Sequence, residues 1–598
     1  EHVVIEGDYA KAMSLSLNNL EFKEGDVLDN GLDTVNKISH VLQRDKSGTF
    51  IGARMGRPEK AKLRKLTGKP HCLFPVGVEG GRMRSFQSSM ERGKVTGEFP
   101  FYRCNKCNVD SIYPLCIKCN GRTEKMNYCF ICGKEVKECE HEDKRKSFKK
   151  MEIPINDYLA HAQNKIGMNE LPELIKGVRG LSSEEHIPEN LMKGILRATN
   201  EVYVNKDGTI RYDATELVIT HFKPVEIGTD VERLRELGYE YDVYGNPLEK
   251  DTQILEIKTQ DVIIPACKES LDEGGDEILL RSSKFMDDLL KYMYNLKPFY
   301  KAEERKDLVG QLVMAIAPHI SAGIICRIIG FSNTQGFYAH PMLHCAVRRD
   351  ADGDEVAFML LLDALINFSR EYLPAHRGAT QDSPLVLSST LIPTEIDDMV
   401  FDVDIASKYP LELYQAALEY KMPWDVKIEQ MRDRLGKENE QTGWMFTHEV
   451  SNINSGVVCS AYKSIPDMQQ KVLGQLEIAE KVRAVDEADV ARLVIDRHFI
   501  RDIKGNLRKF STQEFRCVKC NEKYRRPPLL GYCLKCKGKL LFTVSEGSVV
   551  KYLEPSISLA ERYELPKYLR QSLELVKMRI ESVFGKDKER QAGLGSWF

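Results

Sequence analysis

Twelve residues of this chain are spaced as three sets of four metal ligands, and that spacing constrains the fold more than any hydrophobic pattern does. The first set is Cys104, Cys107, Cys116 and Cys119. The second is Cys129, Cys132 and Cys139 with His141, and the third is Cys517, Cys520, Cys533 and Cys536. A C-x-x-C pair turns two thiolates toward one point on a small knuckle, and a second pair completes the tetrahedron that Zn²⁺ requires. The alternative, a disulfide framework, belongs to small secreted domains. Here long charged segments and five single cysteines (Cys72, Cys267, Cys326, Cys345, Cys459) suit a reducing compartment instead. Each set supplies four protein ligands and keeps no open position, so three structural zinc ions are expected. The second set closes on Cys139-x-His141, which leaves open whether Glu140 or His141 only faces the surface.

A length of 598 residues predicts three to five domains. With 42% apolar and 29% charged residues, wholesale disorder is excluded. Lys plus Arg (86) and Asp plus Glu (89) nearly cancel to a net −3, so nucleic-acid binding would need local patches rather than a global field. One such patch is the 54–94 segment, with eleven basic residues against three acidic ones. Its Gly56-Arg57-Pro58-Glu59-Lys60 stretch reads as a loop presenting cations to phosphate, against the plainer reading of a solvated face. No membrane span is expected, because the most apolar stretch, Leu308 to Phe331, is broken by Gln311, Pro318, His319 and Arg327. The chain opens on Glu1 without Met or a signal-peptide pattern, and reads as the downstream piece of something longer.

The remaining pattern is that of an α+β multidomain protein. Residues 1–100 read as β-rich, and the charge run Glu138 to Lys150 reads as a boundary. Val202–Tyr212 around Lys206-Asp207-Gly208 predicts a hairpin. Helices are expected at Leu279–Tyr294, Leu308–Ala317, Val356–Tyr372 and Val472–Val494, and around residues 556–583.

Asp350-Ala351-Asp352-Gly353-Asp354-Glu355 is the chemical centre of the sequence. Three alternating carboxylates with a Gly at the turn can converge on one hard cation, and Mg²⁺ is the divalent ion that keeps room for waters and substrate phosphates. A calcium EF-hand loop is excluded, since its sixth and twelfth positions would be Glu355 and Leu361 instead of Gly and Glu. A merely solvated acidic turn fits poorly between Arg348-Arg349 and an apolar run. His340 and His344 just upstream read more readily as packed histidines than as general acids. Asp402 and Asp404 alternate as though on one strand face, a weaker candidate for a supporting site.

The Asp-x-Asp-Gly-Asp pattern resembles the metal-binding loop of multisubunit RNA polymerases, which sits on a double-psi β-barrel. A closer resemblance joins several stretches: Gly52 to Lys62, Ser321 to Ile324, Arg327 to Phe331, Tyr338 to Pro341, Arg348-Arg349 with the Asp loop, Leu360 to Arg370, and Phe515 to Cys520 with Tyr524 to Pro528. Together, from about residue 50 to about 553, they resemble the large catalytic subunit of archaeal replicative DNA polymerase D, in its C-terminal portion. The resemblance implies two double-psi β-barrels of the RNA-polymerase type with zinc-binding modules and helical segments. It implies a first barrel region with the basic loop at 1–100, paired zinc modules at 101–150 and a mixed α/β accessory region at 151–300. A catalytic barrel region with the Asp loop at 301–510, a third zinc module at 511–545, a helical segment at 546–588 and a tail at 589–598 follow.

The same resemblance implies primer–template DNA and dNTPs as substrates, a small exonuclease subunit as partner, and an archaeal cytoplasmic, nucleoid-associated location. Asp352 and Asp354 are implied as ligands of two catalytic Mg²⁺ ions. Asp350 is implied as a supporting ligand, because the family's loop commonly carries Asn there. Lys60 and Lys62 would neutralise the triphosphate, and Arg348 and Arg349 would hold phosphates or balance the Asp loop. The terminal Gln591, Leu594, Trp597 and Phe598 have the Q-x-x-L-x-x-aromatic-aromatic spacing of a sliding-clamp (PCNA) interaction box, an apolar plug on one turn. Two other functions compete: an RNA-synthesising two-barrel polymerase, and a zinc-rich scaffold that only binds a clamp.

Overall fold

A computed structural model of the chain describes residue 28, residues 31–39, residue 42 and residues 66–585. Within the last range, residues 136–138, 142–144, 350–353, 375–379, 407, 445–451, 456–457, 461–463, 482–484, 518–521 and 542–543 are left out. Lys60, Lys62, Asp350, Asp352, Cys520, Gln591, Leu594, Trp597 and Phe598 therefore lie outside the described residues, as does most of the expected first barrel. Two compact units divide the chain. One comprises Lys60–Lys408 and Glu429–Lys463, the other Glu1–Glu59, Tyr409–Ile428 and Ser464–Phe598.

In the first unit, strand Val95–Pro100 pairs antiparallel with Phe148–Ile153, and two small three-stranded sheets carrying cysteines lie between them in sequence. Helix α1 (Ile155–Ile166) follows, burying Ile155, Tyr158, Leu159, Ala162 and Ile166, a stripe at helical spacing. It stops at Gly167, whose φ of 72° lets its N–H reach back to Gln163 O at 3.0 Å. Helix α2 (Leu191–Thr199) starts at Asn190, whose side chain accepts from Met192 N at 2.9 Å.

The centre of this unit is a closed barrel. Its strands are β1 (Tyr212–Val218), β2 (Asp261–Pro265), β3 (Leu312–Ile316), β4 (Ala322–Ser332), β5 (Gly336–Ala339) and β6 (Glu355–Leu360). Around the barrel they run β2-β5-β1-β6-β3-β4, and a parallel β2–β4 pairing closes the ring. Strand β7 (Val386–Ser388) pairs with β4 outside the ring. β1–β5 is also parallel, while β1–β6, β3–β6, β3–β4 and β2–β5 are antiparallel. Two of the six strands come from residues 151–300, upstream of the 301–510 segment expected to hold the barrel.

Helix α3 (Gly275–Tyr292) packs Ile278, Leu279, Phe285, Met286 and Leu289 into the main core. A Cβ at Gly275 would lie 2.6 Å from Ile264 Cγ2, so only glycine lets the helix start so close to β2. Two short helices, α4 (Pro341–Ala346) and α5 (Leu361–Asn367), flank β6 in sequence.

The structure corrects several expectations. Leu308–Ala317 is not a helix but mainly β3, and Val356–Tyr372 splits into strand β6 and helix α5. Both strands are buried on both faces: Val313, Ala315, Val356, Phe358 and Leu360 enter the main core, while Met314, Ile316, Ala357 and Met359 form a separate cluster. Such a strand shows no alternation, and an unbroken apolar run reads equally as a buried helix. The expected hairpin at Val202–Tyr212 is a turn without a ladder, with Asn205 N donating to Thr209 O at 2.8 Å. Asp402 closes a 3₁₀ turn (Asp398–Asp402) instead of lying on a strand; it pairs with Arg432, whereas Asp404 accepts from Gln430 Nε2 at 3.0 Å.

In the second unit the described residues are mainly helical: α6 (Met468–Lys481), α7 (Glu487–Leu493), α8 (Ile500–Thr512), α9 (Leu553–Arg562) and α10 (Lys567–Phe584). The helix expected at Val472–Val494 is thus two, and a π-helical turn at Val494–Phe499 joins α7 to α8. Their shared core includes Leu476, Phe499, Ile503, Leu559, Leu573 and Ile580. No helix among the described residues is long and apolar enough to cross a membrane.

Candidate functional site

The described cysteine sets converge as their spacing predicts. Ligand atoms of Cys104, Cys107, Cys116 and Cys119 lie within 4.8 Å of one another, as do those of Cys129, Cys132, Cys139 and His141, and those of Cys517, Cys533 and Cys536. Sulfurs 2.3 Å from a zinc ion define a tetrahedron with edges of about 3.8 Å. Cys104–Cys119 at 3.4 Å, Cys107–Cys116 at 3.6 Å and Cys517–Cys536 at 3.3 Å are near that edge and far beyond a disulfide bond of about 2.05 Å. Cys132 Sγ lies 3.5 Å from His141 Nδ1, so His141 turns inward as a ligand. Backbone N–H groups of the knuckles favour thiolates: those of Cys107 and Lys106 pull the Cys104 thiol down to about 6, and that of Cys132 draws Cys129 down to about 7. The donor sets fit structural zinc.

The acidic loop joins α4 to β6. His340 caps α4, its Nδ1 accepting from Met342 N at 3.1 Å, and Pro341 opens the first turn. His340 is fully buried against Trp444, with ring centres 4.5 Å apart, and burial holds it down to about 3. It is a packed neutral histidine. The helix ends as Arg348 N donates to Cys345 O (2.9 Å) and Arg349 N to His344 O (3.3 Å), with Arg348 at a φ of 56°.

That reversal separates the two arginines. Arg348 is turned outward, 3.8 Å from Asp397, with 63% of its side chain exposed. Arg349 is 20% exposed and lies 3.7 Å from the Asp354 carboxylate. Asp354 is the described aspartate of the loop, and Glu355 after it opens β6. The Asp354 carbonyl accepts from Glu216 N on β1 at 3.1 Å, and its carboxylate is 42% exposed at the entry to β6. An oxygen donor so placed suits a hard cation such as Mg²⁺.

Beneath Asp354 lies a pair that sequence reasoning missed. The Glu216 carboxylate is fully buried, 3.1 Å from His344 Nδ1. The two atoms are in close contact without counting as an aligned hydrogen bond. His344 Nε2 donates to Leu217 O at 3.0 Å, and the ring packs on Phe337. Burial pushes the Glu216 carboxyl up; the His344 contact opposes the shift and the Asp354 charge adds to it. A lone Glu within Thr215-Glu216-Leu217-Val218-Ile219 was the available signal.

Comparison with known proteins places these features. The family described as DNA polymerase II large subunit DP2, catalytic domain, matches residues 167–471, just over half of the chain. The chain belongs to this family. The DP2 central domain matches residues 1–138 as well. Among curated relatives, the DNA polymerase II large subunit of Nanoarchaeum equitans is 44% identical over 640 aligned residues, covering 99% of this chain and 52% of the relative. The namesake from Archaeoglobus fulgidus is 46% identical, covering 95% and 50%, and that from Pyrococcus furiosus 45%, covering 97% and 47%. The chain thus spans about half the length of the curated relatives it matches. The DP2 catalytic-domain match contains the whole barrel with Glu216, His344, Arg349 and Asp354. The central-domain match contains the basic loop and the first zinc set, and the third zinc set lies beyond both.

Proposed function

We propose that this chain carries the nucleotidyl-transfer centre of a replicative DNA polymerase, extending a DNA primer 3′ hydroxyl with dNTPs on a DNA template. The observation that carries this reading is the placement of Asp354: a part-exposed carboxylate fixed to a rigid barrel, with Arg349 beside it, inside the DP2 catalytic-domain match. Asp352 and Asp354 would hold two Mg²⁺ ions, with Asp350 in support. When bound, such ions neutralise charge developing on the attacking and leaving oxygens. Arg349 balances the Asp354 carboxylate, while Arg348, outward beside Asp397, would meet a backbone phosphate. Lys60 and Lys62 take the triphosphate charge.

The six-stranded barrel is read as the double-psi kind, with a second barrel and the basic loop in residues 1–100. The zinc modules hold their segments rigid and take no part in the chemistry. A small exonuclease subunit and a sliding clamp, the latter on Gln591, Leu594, Trp597 and Phe598, complete the assembly in the archaeal cytoplasm. Asp350, where the family's loop commonly has Asn, supports one other reading, an RNA-synthesising enzyme; extension with dNTPs against rNTPs separates the two. In the assembled enzyme, Asp352→Asn or Asp354→Asn should abolish incorporation with fold and zinc content intact, and Asp350→Asn should be milder. Lys60→Ala or Lys62→Ala should raise KM for dNTP or lower kcat. Near-wild-type extension by Asp354→Asn in Mg²⁺ refutes the reading.

A further inference from the structure

Both flanks of the acidic loop rest on one buried pair. On the upstream side, Arg349 N donates to the backbone carbonyl of His344, and on the downstream side Glu216 N donates to the carbonyl of Asp354. The side chains of those two anchors, His344 and Glu216, meet 3.1 Å apart with 3% and 0% exposure. His344 Nε2 is spent on Leu217 O, so its Nδ1 edge is held toward Glu216. Strand β1, helix α4 and strand β6 are thereby tied at one point, directly behind Asp354. A buried carboxylate is costly to keep, and core packing alone would be served better by an apolar residue.

The geometry points to Glu216 and His344 as a positioning pair that sets the Asp354 carboxylate for its divalent cation, an inference that rests on the Asp-loop reading given above. Neither side chain touches substrate. They act through the backbone of residues 349 and 354, fixing the distance between the loop's two ends. Supporting residues of this sort, one step removed from the metal, typically change metal affinity about 10–100-fold when altered.

The test measures Mn²⁺ binding to the zinc-loaded chain by electron paramagnetic resonance, without nucleotide or DNA, alongside thermal melting. Glu216→Gln and His344→Gln should each weaken Mn²⁺ binding about tenfold or more at temperatures where melting shows the protein folded. The double variant should lose no more than the worse single one, because either change already breaks the pair. Wild-type Mn²⁺ affinity in either folded single variant, or additive losses in the double, overturns the inference; if one variant does not fold, the other decides. Asp354→Asn keeps this outcome apart from the underlying reading. Lost Mn²⁺ binding there with none lost in Glu216→Gln sinks the positioning pair alone. Unchanged binding in Asp354→Asn sinks the metal loop, and the pair with it.

Discussion

Replacing Arg197 by Met should cost more stability than any exposed substitution, and the structure gives the size. The Arg197 guanidinium and the Glu189 carboxylate are both fully buried and joined by two bonds of 2.8 Å. Arg197 also donates to His71 O (3.1 Å) and Gly208 O (2.8 Å), and its guanidinium lies 5.0 Å from the Phe285 ring centre. Glu189 accepts from Leu73 N at 2.9 Å. One ion pair thus ties residues 71–73, helix α2 and the 205–209 turn together. Arg197→Met strands the carboxylate and two carbonyls, and breaking such a pair costs about 3–5 kcal/mol. Glu189→Leu should cost a similar amount by stranding the guanidinium. The double variant, with no orphaned charge, should cost clearly less than either single change. Urea unfolding can be followed by fluorescence of the buried Trp444 in a Trp424→Phe, Trp597→Phe background. For an m-value of roughly 2–3 kcal/mol/M, the midpoint should fall by about 1–2.5 M in each single variant. A single-variant loss below about 1 kcal/mol, or a double variant as unstable as the singles, would refute the reasoning.

Two further outcomes are expected. Metal analysis of folded protein should return three zinc ions per chain, and chelation should lower the melting temperature; one zinc or none on well-folded protein would contradict the knuckle assignment. Asp363 is fully buried, and burial pushes its carboxyl up to about 6. The folded state therefore binds the proton more tightly than the unfolded chain, and this contribution is complete below about pH 4 and lost as pH rises through 6. Asp363→Asn, which keeps an acceptor for Ile210 N, should be more stable at pH 7 by on the order of 1–3 kcal/mol and flatter between pH 4 and 6. Unfolding free energies at several pH values check it, and equal slopes in both proteins would show that Asp363 does not carry the effect.

What could be read from the sequence was whatever depends on local spacing. Cys104 to Cys119 form a site because two tight turns suffice to bring four sulfurs together. The helix at 275–292 was legible because one of its faces is polar, leaving a clear helical stripe. Strands β3 and β6 were misread because burial on both faces erases the alternation that marks a strand. Whether Phe358 belongs to a helix or a strand is decided by its ring neighbours in space, among them Phe337, 4.7 Å away by ring centres. The Glu216–His344 pair was hidden for the same reason: its members come from separate elements, strand β1 and helix α4, that meet only in the fold. Of the candidate site, Asp354 and its two neighbouring arginines could be named from the sequence, but not the different surroundings of Arg348 and Arg349. That difference depends on the left-handed turn at Arg348, which no residue type demanded.

The position of Asp354 explains why a barrel is a good platform for this loop. A metal-binding carboxylate must be held within about half an ångström, and a loop on its own cannot do that. β6 is bonded to β1 from its first residue, Glu355, and to β3 from Ala357 onward, and is buried on both faces, so the strand has few alternatives available. The flanks of the loop are therefore fixed, and the Asp354 carboxylate stays part-exposed. The cost falls on Glu216, a polar carboxyl group placed where packing would prefer a methyl group. That asymmetry separates a positioning role from a structural one. If Glu216 served stability, Glu216→Gln should melt earlier and bind metal normally. If it serves the loop, the same change should leave melting unchanged or raise it while metal binding weakens, the usual trade between stability and a prepared site.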